Sequence, residues 1–191
     1  GKSTDYTLTA VVFTLATRIN AAGRMDHASE AVKMLLCTES ALAQEQSLFI
    51  NLQNTDRKTS DQNITAEALA LIEECDILVN KKTTVVYHES WNKGVIGIVA
   101  SRLIEKYYRP TVVLTASNGL LTGSARSVAG FDLYEALLGC QDLLVQFGGH
   151  KFAAGLTIKP ENVQLFSDRF ENIVASTITD DLLSPEINIG T

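Results

Sequence analysis

Long apolar runs, cysteine and histidine are all scarce in this chain of 191 residues. No apolar run approaches the roughly 20 residues that a membrane-spanning helix needs, and the first residues carry no signal-peptide pattern. The three cysteines, Cys37, Cys75 and Cys140, are odd in number and lie far apart. This spacing argues against a disulfide framework or a zinc site, and it predicts free thiols in a cytoplasmic protein without membrane contact.

Acidic and basic side chains are distributed unevenly. The formal net charge is −6, but residues 81–160 carry 9 Lys/Arg against 5 Asp/Glu, whereas residues 1–80 carry 6 against 11 and residues 161–191 carry 1 against 6. A local basic region attracts anions even on an acidic protein, because salt screens charges beyond about 10 Å. We therefore expect any phosphate-binding site to lie between residues 81 and 160.

Residues 1–80 have apolar positions at helical spacing, which predicts a helical region. The segment Gln53–Asn63 is polar on every side but contains neither Pro nor Gly. It is either a loop or the exposed middle of a helix that bridges two bodies. We favour a long bridging helix, because structureless loops of that length are uncommon in compact domains.

Residues 81–178 alternate between strand-like and helix-like patterns, in the order β-α-β-β-α-β-α. This order predicts an α/β domain with a mixed sheet, in which Asn118-Gly119 forms a tight turn between two paired strands. Residues 179–191 are expected to begin a linker or a following domain of a longer protein. The predicted elements are strand Thr84–Tyr87, helix Val95–Tyr107, strand Thr111–Leu114, strand Leu121–Arg126, helix Leu133–Gln146, strand Ala154–Ile158 and helix Val163–Ser176.

A glycine pair followed by His and Lys is the most distinctive local feature, within the segment Phe147–Gly155 (FGGHKFAAG). Gly148 and Gly149 permit positive φ and close approach of the backbone, while His150 and Lys151 bring donors and positive charge. Such a loop suits phosphate. On its own, however, the pair favours a helix C-cap beside a surface histidine, and only the two segments described next reverse that preference.

Two more segments occur in the same half of the chain, Trp91–Leu103 (WNKGVIGIVASRL) and Gly123–Ser127 (GSARS). Together with the glycine pair, in this order, they resemble the DHH-associated domain of the DHH phosphoesterase superfamily. The upstream segment Arg18–Arg24 (RINAAGR) is similar to one branch of it, the RecJ single-strand-specific DNA exonucleases. The resemblance extends from about Arg18 to about Phe170.

The resemblance implies a 5′–3′ exonuclease that hydrolyses phosphodiester bonds of single-stranded DNA in recombination and repair. It also implies Mn²⁺ or Mg²⁺ held by a cluster of Asp and His. Because the chain has three histidines and no Asp-His-His triplet, we expect the metal site upstream of Gly1 and none within this chain. The fragment alone should be nearly inactive, and a helicase or a single-strand-binding protein would be a partner of the whole protein.

Two alternatives remain open at this stage. The first is an oligoribonuclease or cyclic-dinucleotide phosphodiesterase of the same superfamily, which shares the Gly-Gly-His motif. The second is a non-catalytic nucleic-acid-binding module, like the related domain at the end of alanyl-tRNA synthetases. The Arg18–Arg24 segment and the long bridging stretch favour the exonuclease reading.

The resemblance also assigns candidate site residues. Arg126 offers a planar fork that matches phosphate oxygens, and Ser124 points to the same sheet face. His150 is the candidate catalytic residue, which would bind a phosphate oxygen or stabilise transition-state charge. A surface arginine on an edge strand is the ordinary alternative for Arg126. The other candidate phosphate-binding residues are Gly148, Gly149, Lys151, Asn20, Arg24 and Asn92.

Three of these assignments have competing explanations. Asn92 precedes a predicted helix whose N-terminus could face phosphate, but relatives often carry histidine there, which weakens any acid/base role. Arg24 at a helix end has a purely structural use, because a cation there interacts favourably with the helix dipole. Trp91 is either a stacking surface for a base or, by default, a core anchor.

Overall fold

The structure is a computed structural model, and it describes residues 7–24 and 28–185. The chain divides into two compact units, residues 1–60 and 61–191, and the division falls inside one long helix. Within the described ranges, no helix is both long and apolar enough to cross a membrane. Residues 179–191 were predicted to begin a linker or a following domain. Of these, Asp180–Leu183 form a 3₁₀ turn with Leu182 and Leu183 packed on the core of the second unit, and residues 186–191 lie outside the described part of the chain.

The first unit contains only helices as its secondary-structure elements over the described residues. Helix α1, Leu8–Ala10, continues through a π-helical segment, Val11–Ala16, into α2, Thr17–Arg24, and α3 is Ala28–Leu36. The start of α4, Ser40–Glu73, completes the unit. A small core joins these helices, and its buried residues are Ala22, Ala31 and Ile50.

Helix α4 contains the polar stretch Gln53–Asn63 without interruption. The prediction of a long helix rather than a loop is therefore confirmed. At 34 residues it is about 50 Å long, given a rise of about 1.5 Å per residue. Its apolar C-terminal positions are Ile64, Ala68 and Ile72, all buried in the core of the second unit.

The second unit is built on a five-stranded mixed sheet with the strand order β1-β2-β3-β5-β4. Strands β1 and β2 are parallel, and the remaining neighbours are antiparallel. The strands are β1 Thr84–Tyr87, β2 Thr111–Ser117, β3 Leu120–Arg126, β4 Leu144–His150 and β5 Ala153–Ile158. The helices are α5 Asp76–Val79, α6 Ile96–Lys106, α7 Leu133–Leu138 and α8 Val163–Thr177.

Helices cover the two faces of this sheet unequally. Helix α6 and the C-terminal part of α4 pack on one face of β1 and β2, against Val86 and Val113. Helices α7 and α8 pack on the opposite face, where Phe166 and Phe170 meet Leu156 in the larger core. The predicted α/β fold class with a helical region and a mixed sheet is confirmed.

The turn Asn118-Gly119 joins β2 to β3, as the sequence predicts. Both residues have positive φ, 53° for Asn118 and 77° for Gly119. Such values are those of the two-residue turns that match the twist of antiparallel strands. The register of β2 with β3 follows, with Thr111 opposite Arg126 and Ser117 opposite Leu120.

The predicted helix Leu133–Gln146 is wrong beyond Leu138. Asp132 caps its start, accepting hydrogen bonds from the amides of the next turn at 3.0 and 3.2 Å. The helix stops at Gly139, where a Cβ would lie 2.7 Å from Cδ1 of Ile173 on α8. A 3₁₀ turn at Gln141–Leu143 then leads into β4. Close packing against α8 and pairing with β5 therefore override the helical pattern.

The glycine pair consequently lies in a strand, not in a loop. Gly148 pairs with Gly155, Gly149 with Ala154, and His150 with Ala153. The alternative of a helix C-cap at Gly148-Gly149 is excluded, because no helix ends there. Strand β4 is the fifth strand that the sequence pattern concealed.

Two internal features of the second unit bear on its stability. Asp61 on α4 is 1% exposed and forms an ion pair with Arg102 on α6. Nε of Arg102 lies 2.7 Å from Oδ1 of Asp61, and Nη2 donates to Oδ2 at 3.0 Å. Cys140 is fully buried, and this burial raises the pKa of its thiol to about 11. Each feature makes stability depend on a specific buried group.

Candidate phosphate-binding site

On one face of the sheet, α6 covers β2 and part of β3, whereas β5, β4 and the half-buried residues Thr122, Ser124 and Arg126 of β3 are at least partly exposed. We call this exposed area the open face. The strand register arranges its side chains in three rows that run across the three strands, because directly paired residues point to the same side. The rows are Arg126-Ala153-His150, Ser124-Gly155-Gly148 and Thr122-Thr157-Gln146.

Arg126 and Ser124 lie on β3 at the border between the open face and α6. The Arg126 guanidinium donates from Nη1 to Oγ of Ser124 at 2.9 Å and to the Ala125 carbonyl at 2.8 Å. Both side chains are half-buried. The predicted proximity of the two residues is therefore present, and Ser124 helps to orient the guanidinium.

Gly97, in the first turn of α6, makes room for this pair. A Cβ at Gly97 would lie 2.7 Å from Nη2 of Arg126 and 3.0 Å from Oγ of Ser124. Gly97 itself is buried. The guanidinium thus occupies the space that any other residue at position 97 would fill, and α6 holds it against the sheet.

His150 is the last residue of β4 and lies in the same row as Arg126, with Ala153 between them. Two strand spacings separate the two backbones by about 10 Å. His150 is exposed, and its Nδ1 accepts a hydrogen bond from the Phe152 amide at 3.3 Å. Because Nδ1 accepts this bond, Nε2 is the ring nitrogen that can donate to an anion.

The glycines of the middle row keep the open face flat. A Cβ at Gly148 would meet no atom within 4 Å, and at Gly155 it would meet only the Gly123 carbonyl at 3.9 Å. Gly149 differs, because its φ is 155° and a Cβ there would lie 2.3 Å from the Ala153 carbonyl oxygen. Gly149 is thus needed by the hairpin, whereas Gly148 and Gly155 leave space for a ligand.

A groove with a volume of about 380 Å³ follows this surface. Its lining includes Thr122, Gly155, Gly148 and Gln146 of the open face. Exposed glycines and polar side chains suit a hydrophilic chain better than an apolar ligand. The groove runs over Gly155 and Gly148 of the middle row and over the Thr122 row, and the Arg126 row lies next to the middle row.

Lys151 follows His150 in the turn between β4 and β5. It is exposed, and its Nζ lies 4.7 Å from the centre of the Phe152 ring. Its carbonyl accepts from the Leu133 amide at 3.1 Å, which fixes the turn to the start of α7. The lysine charge is therefore presented at the His150 end of the open face.

The loop before α6 is organised around two side chains. Oδ1 of Asn92 accepts from the Gly94 amide at 2.7 Å, so this half-buried residue shapes the turn that starts the helix. Trp91 is 4% exposed, and its Nε1 donates to Oε2 of Glu67 at 2.8 Å. Trp91 is a core anchor rather than a stacking platform.

Asn20 and Arg24 belong to the first unit. Both lie on α2 and both are exposed. Nearby, Arg18 donates from Nε to Oδ1 of Asn51 at 2.6 Å, which fastens α2 to α4. The assignment of Asn20 and Arg24 to substrate stays a prediction.

Comparison with known proteins identifies the family. Residues 80–176 match the model of the DHHA1 domain. This chain belongs to the DHHA1 domain family. The matched residues contain α6, all five strands and nearly all of α8, and so the whole open face of this DHHA1 domain.

The similar curated proteins are RecJ enzymes, so the resemblance to the RecJ branch is confirmed. The chain is 40% identical over 177 residues to the single-stranded-DNA-specific exonuclease RecJ of Bacillus subtilis, covering 92% of this chain and 22% of that protein. It is 36% identical over 185 residues to RecJ of Escherichia coli, covering 92% and 32%. The chain thus spans about a quarter to a third of the relatives it matches.

Solved RecJ structures share the fold of this chain. The crystal structure of Thermus thermophilus RecJ with Mn²⁺ superposes with a TM-score of 0.78 at 33% identity, covering 89% of this chain and 25% of that one. A structure of exonuclease RecJ bound to manganese gives 0.76 at 33% identity, covering 91% and 43%. The agreement of sequence and fold supports a common architecture for the helical region and the DHHA1 domain.

Possible metal ligands are scattered over the described part of this DHHA1 protein. Over residues 7–24 and 28–185, no three His, Cys, Asp or Glu side chains come together as ligands. His150 faces Arg126 across the open face rather than a group of carboxylates.

Five positions of the site were missed by sequence reasoning. The strict alternation of β3 would have placed Thr122 beside Ser124, because residues two apart share a face. Gly155 and Thr157 follow from the same rule in β5. Gln146 was hidden by the mistaken helix, and the contact of Gly97 with Arg126 is a tertiary feature without a local signal.

Proposed function

We propose that this chain is the substrate-binding part of a single-strand-specific 5′–3′ exonuclease, which hydrolyses DNA phosphodiester bonds in recombination and repair. Its DHHA1 domain, residues 81–178, holds the phosphates of single-stranded DNA, and residues 1–80 form the helical connection. The observation that carries the proposal is the Arg126 guanidinium, which Ser124 and Gly97 position one row away from the exposed glycines Gly155 and Gly148.

Arg126 suits phosphate for geometric and electrostatic reasons. Its planar fork can donate two parallel hydrogen bonds to phosphate oxygens, and α6 limits the rotamers it can adopt. Orientation by Ser124 lowers the entropy that is lost when a phosphate binds. The same arrangement gives no contact to a base edge, so binding is expected to be independent of sequence.

His150 is assigned the catalytic role within the domain. Its place in the Arg126 row lets one phosphodiester lie between the two side chains, which are separated by about 10 Å at the backbone. There it donates to a phosphate oxygen as negative charge develops. The bound DNA is also supported by the positive charge of Lys151 and by the open backbone at Gly148 and Gly149. Asn92 contributes by shaping the turn that starts α6.

The proposal includes features of the whole protein. The RecJ structures contain Mn²⁺ or Mg²⁺, and we place the metal-binding residues outside the described part of this chain. Three unbridged cysteines support a cytoplasmic location. A helicase or a single-strand-binding protein is the expected kind of protein partner.

The test is fluorescence anisotropy of this chain with a labelled oligothymidylate over about 50 to 200 mM salt. Wild type should bind weakly, with affinity falling as salt rises. Arg126→Ala should lower the affinity by about tenfold or more, since a hydrogen bond to a charged group contributes about 1.5 to 3 kcal/mol. It should also reduce the slope of log affinity against log salt by about 0.7, for one lost phosphate contact.

Arg169→Ala is the matched control. It removes the same charge, but Arg169 lies on α8 on the other side of the sheet, paired with Asp142. It should therefore change neither the affinity nor the salt slope beyond a small general effect. Equal behaviour of the two variants, or no binding of wild type at low salt, would contradict the proposal.

A further inference from the structure

The Thr122-Thr157-Gln146 row of the open face has no part in the phosphate contact described above. We propose that this row is a second, uncharged contact for the same single-stranded DNA, which it binds beyond the phosphate held by Arg126. The inference rests on the proposed function, because it extends the strand that Arg126 holds. It assigns Gln146, Thr122 and Thr157 to binding of a longer strand rather than to catalysis.

The register sets the distance between the two contacts. Thr122 is four residues before Arg126 on β3, so the two backbones are about 14 Å apart. A stacked strand advances about 3.4 Å per nucleotide, so this distance corresponds to about four nucleotides, and fewer when the strand is extended. A short oligonucleotide bound at Arg126 therefore does not reach the Thr122 row.

The space between the contacts is open. Gly155 and Gly148 form the middle row beside Ser124, and a Cβ at Gly148 would meet no atom within 4 Å. The groove of about 380 Å³ runs over these glycines and is lined by all three residues of the Thr122 row. A DNA strand can thus pass from one contact to the other without a rearrangement of the sheet.

The chemistry of the row differs from that of Arg126. Gln146 donates from Nε2 to Oγ1 of Thr157 at 3.4 Å, and its amide has further donor and acceptor capacity. Two threonine hydroxyls and an amide can bond to phosphate, sugar or base oxygens without carrying charge. Contacts of this kind add affinity but release no counterions, so they leave the salt dependence unchanged.

Strand length is the variable that separates this row from the Arg126 contact. Anisotropy is measured for wild type, Gln146→Ala and Thr122→Val with a phosphorylated dinucleotide and with oligothymidylates of about 4 to 16 nucleotides. Each variant should lose about two- to tenfold in affinity for the longer strands. Binding of the dinucleotide, and the salt slope, should remain those of wild type.

Matched variants keep the outcome interpretable. Gln164→Ala removes an exposed glutamine from α8, where it bonds to Asp168, and should have no effect at any length. Gly148→Val fills the space between the two contacts and should weaken the binding of long strands more than the binding of the dinucleotide. Because Gly148 is exposed with no neighbour to its added side chain, this variant tests the path even if Thr122→Val disturbs folding.

The results distinguish this inference from the proposed function. If Arg126→Ala weakens every length but the Gln146 and Thr122 variants bind long strands as wild type does, only the second contact is refuted. The second contact would also be refuted if the Gln146 and Thr122 variants lost as much affinity for the dinucleotide as for long strands, or if they changed the salt slope. If wild type binds no strand, or Arg126→Ala has no effect, the proposed function fails and this inference fails with it.

Discussion

Replacing Gly97 by alanine should separate ligand binding from stability in this domain. The new Cβ would lie 2.7 Å from Nη2 of Arg126 and 3.0 Å from Oγ of Ser124, both closer than ordinary contact. Because both atoms end flexible side chains, the guanidinium can move away by roughly 1 Å at little cost in packing energy. Alanine in a helix is also favoured over glycine by up to about 1 kcal/mol.

The expected result is a protein of equal or greater stability that binds single-stranded DNA worse. The free energy of unfolding, from urea titration, should stay within about 1 kcal/mol of wild type or rise. Affinity should fall about tenfold, the equivalent of one weakened charged hydrogen bond. Gly23→Ala is the control for helix propensity, because its Cβ would meet no atom within 4 Å.

A double-mutant cycle decides whether Arg126 is the cause. In an Arg126→Ala background, Gly97→Ala should no longer change affinity, since the displaced group is absent. Affinity equal to wild type in the single variant would refute the idea that Gly97 positions Arg126. A large loss of stability would show instead that the added methyl group disrupts the packing of the core rather than displacing the guanidinium.

Three further predictions concern stability. Gly149→Ala should destabilise the domain by about 2 to 3 kcal/mol or more through its positive φ and backbone overlap, measured by urea unfolding, whereas the neighbouring Gly148→Ala should be almost neutral. Arg102→Ala should cost about 3 kcal/mol in the same assay, because it leaves the carboxylate of Asp61 buried and unpaired. The buried thiol of Cys140, with its pKa raised to about 11, should make stability fall as pH rises from about 9 to 11, by about 2 to 3 kcal/mol.

Each of these predictions has a control. Stability falls at alkaline pH because the thiol of Cys140 loses its proton near pH 9 in the unfolded chain but keeps it in the folded domain. The variant Cys140→Ala should therefore lack this part of the fall in the free energy of unfolding. Lys106→Ala breaks the exposed pair with Glu73 between the same two helices and should destabilise the domain much less than Arg102→Ala, because solvent screens the exposed pair. Equal costs for the Gly148 and Gly149 variants, or for the Arg102 and Lys106 variants, would contradict the reasoning.

Local sequence patterns predicted most elements of the fold. Strand Thr84–Tyr87 was predicted at its observed bounds, and the polar stretch Gln53–Asn63 was correctly assigned to a helix. Both predictions are correct because a few neighbouring residues decide each element. β-branched residues favour a strand, and a segment without Pro or Gly can remain helical. The Asn118-Gly119 turn succeeds for the same reason, since its positive φ values are set by those two residues.

The predicted helix Leu133–Gln146 was wrong because contacts with other elements decide how this segment folds. The N-cap at Asp132 was compatible with a long helix, yet the chain turns at Gly139 because α8 packs there. Residues 144–150 then become a strand because β5 offers a pairing edge. Ile173 of α8 is distant in sequence, so no local pattern could report that contact. Strand β5 follows β4 directly through the turn at Lys151-Phe152, but the helical spacing of Leu133–Gln146 was preferred to this hairpin, and Gln146 was lost from the site as a result.

The family, most of the helices and strands, and the chemical types at the site could all be read from the amino-acid sequence: an arginine, a serine, a histidine and paired glycines. The contact of Arg126 with Gly97 and the place of His150 in the Arg126 row became visible only in the folded domain. These relations depend on strand register and helix packing, which bring together residues far apart in the chain. Residue types supply the chemistry, and the register of the sheet arranges them into a surface.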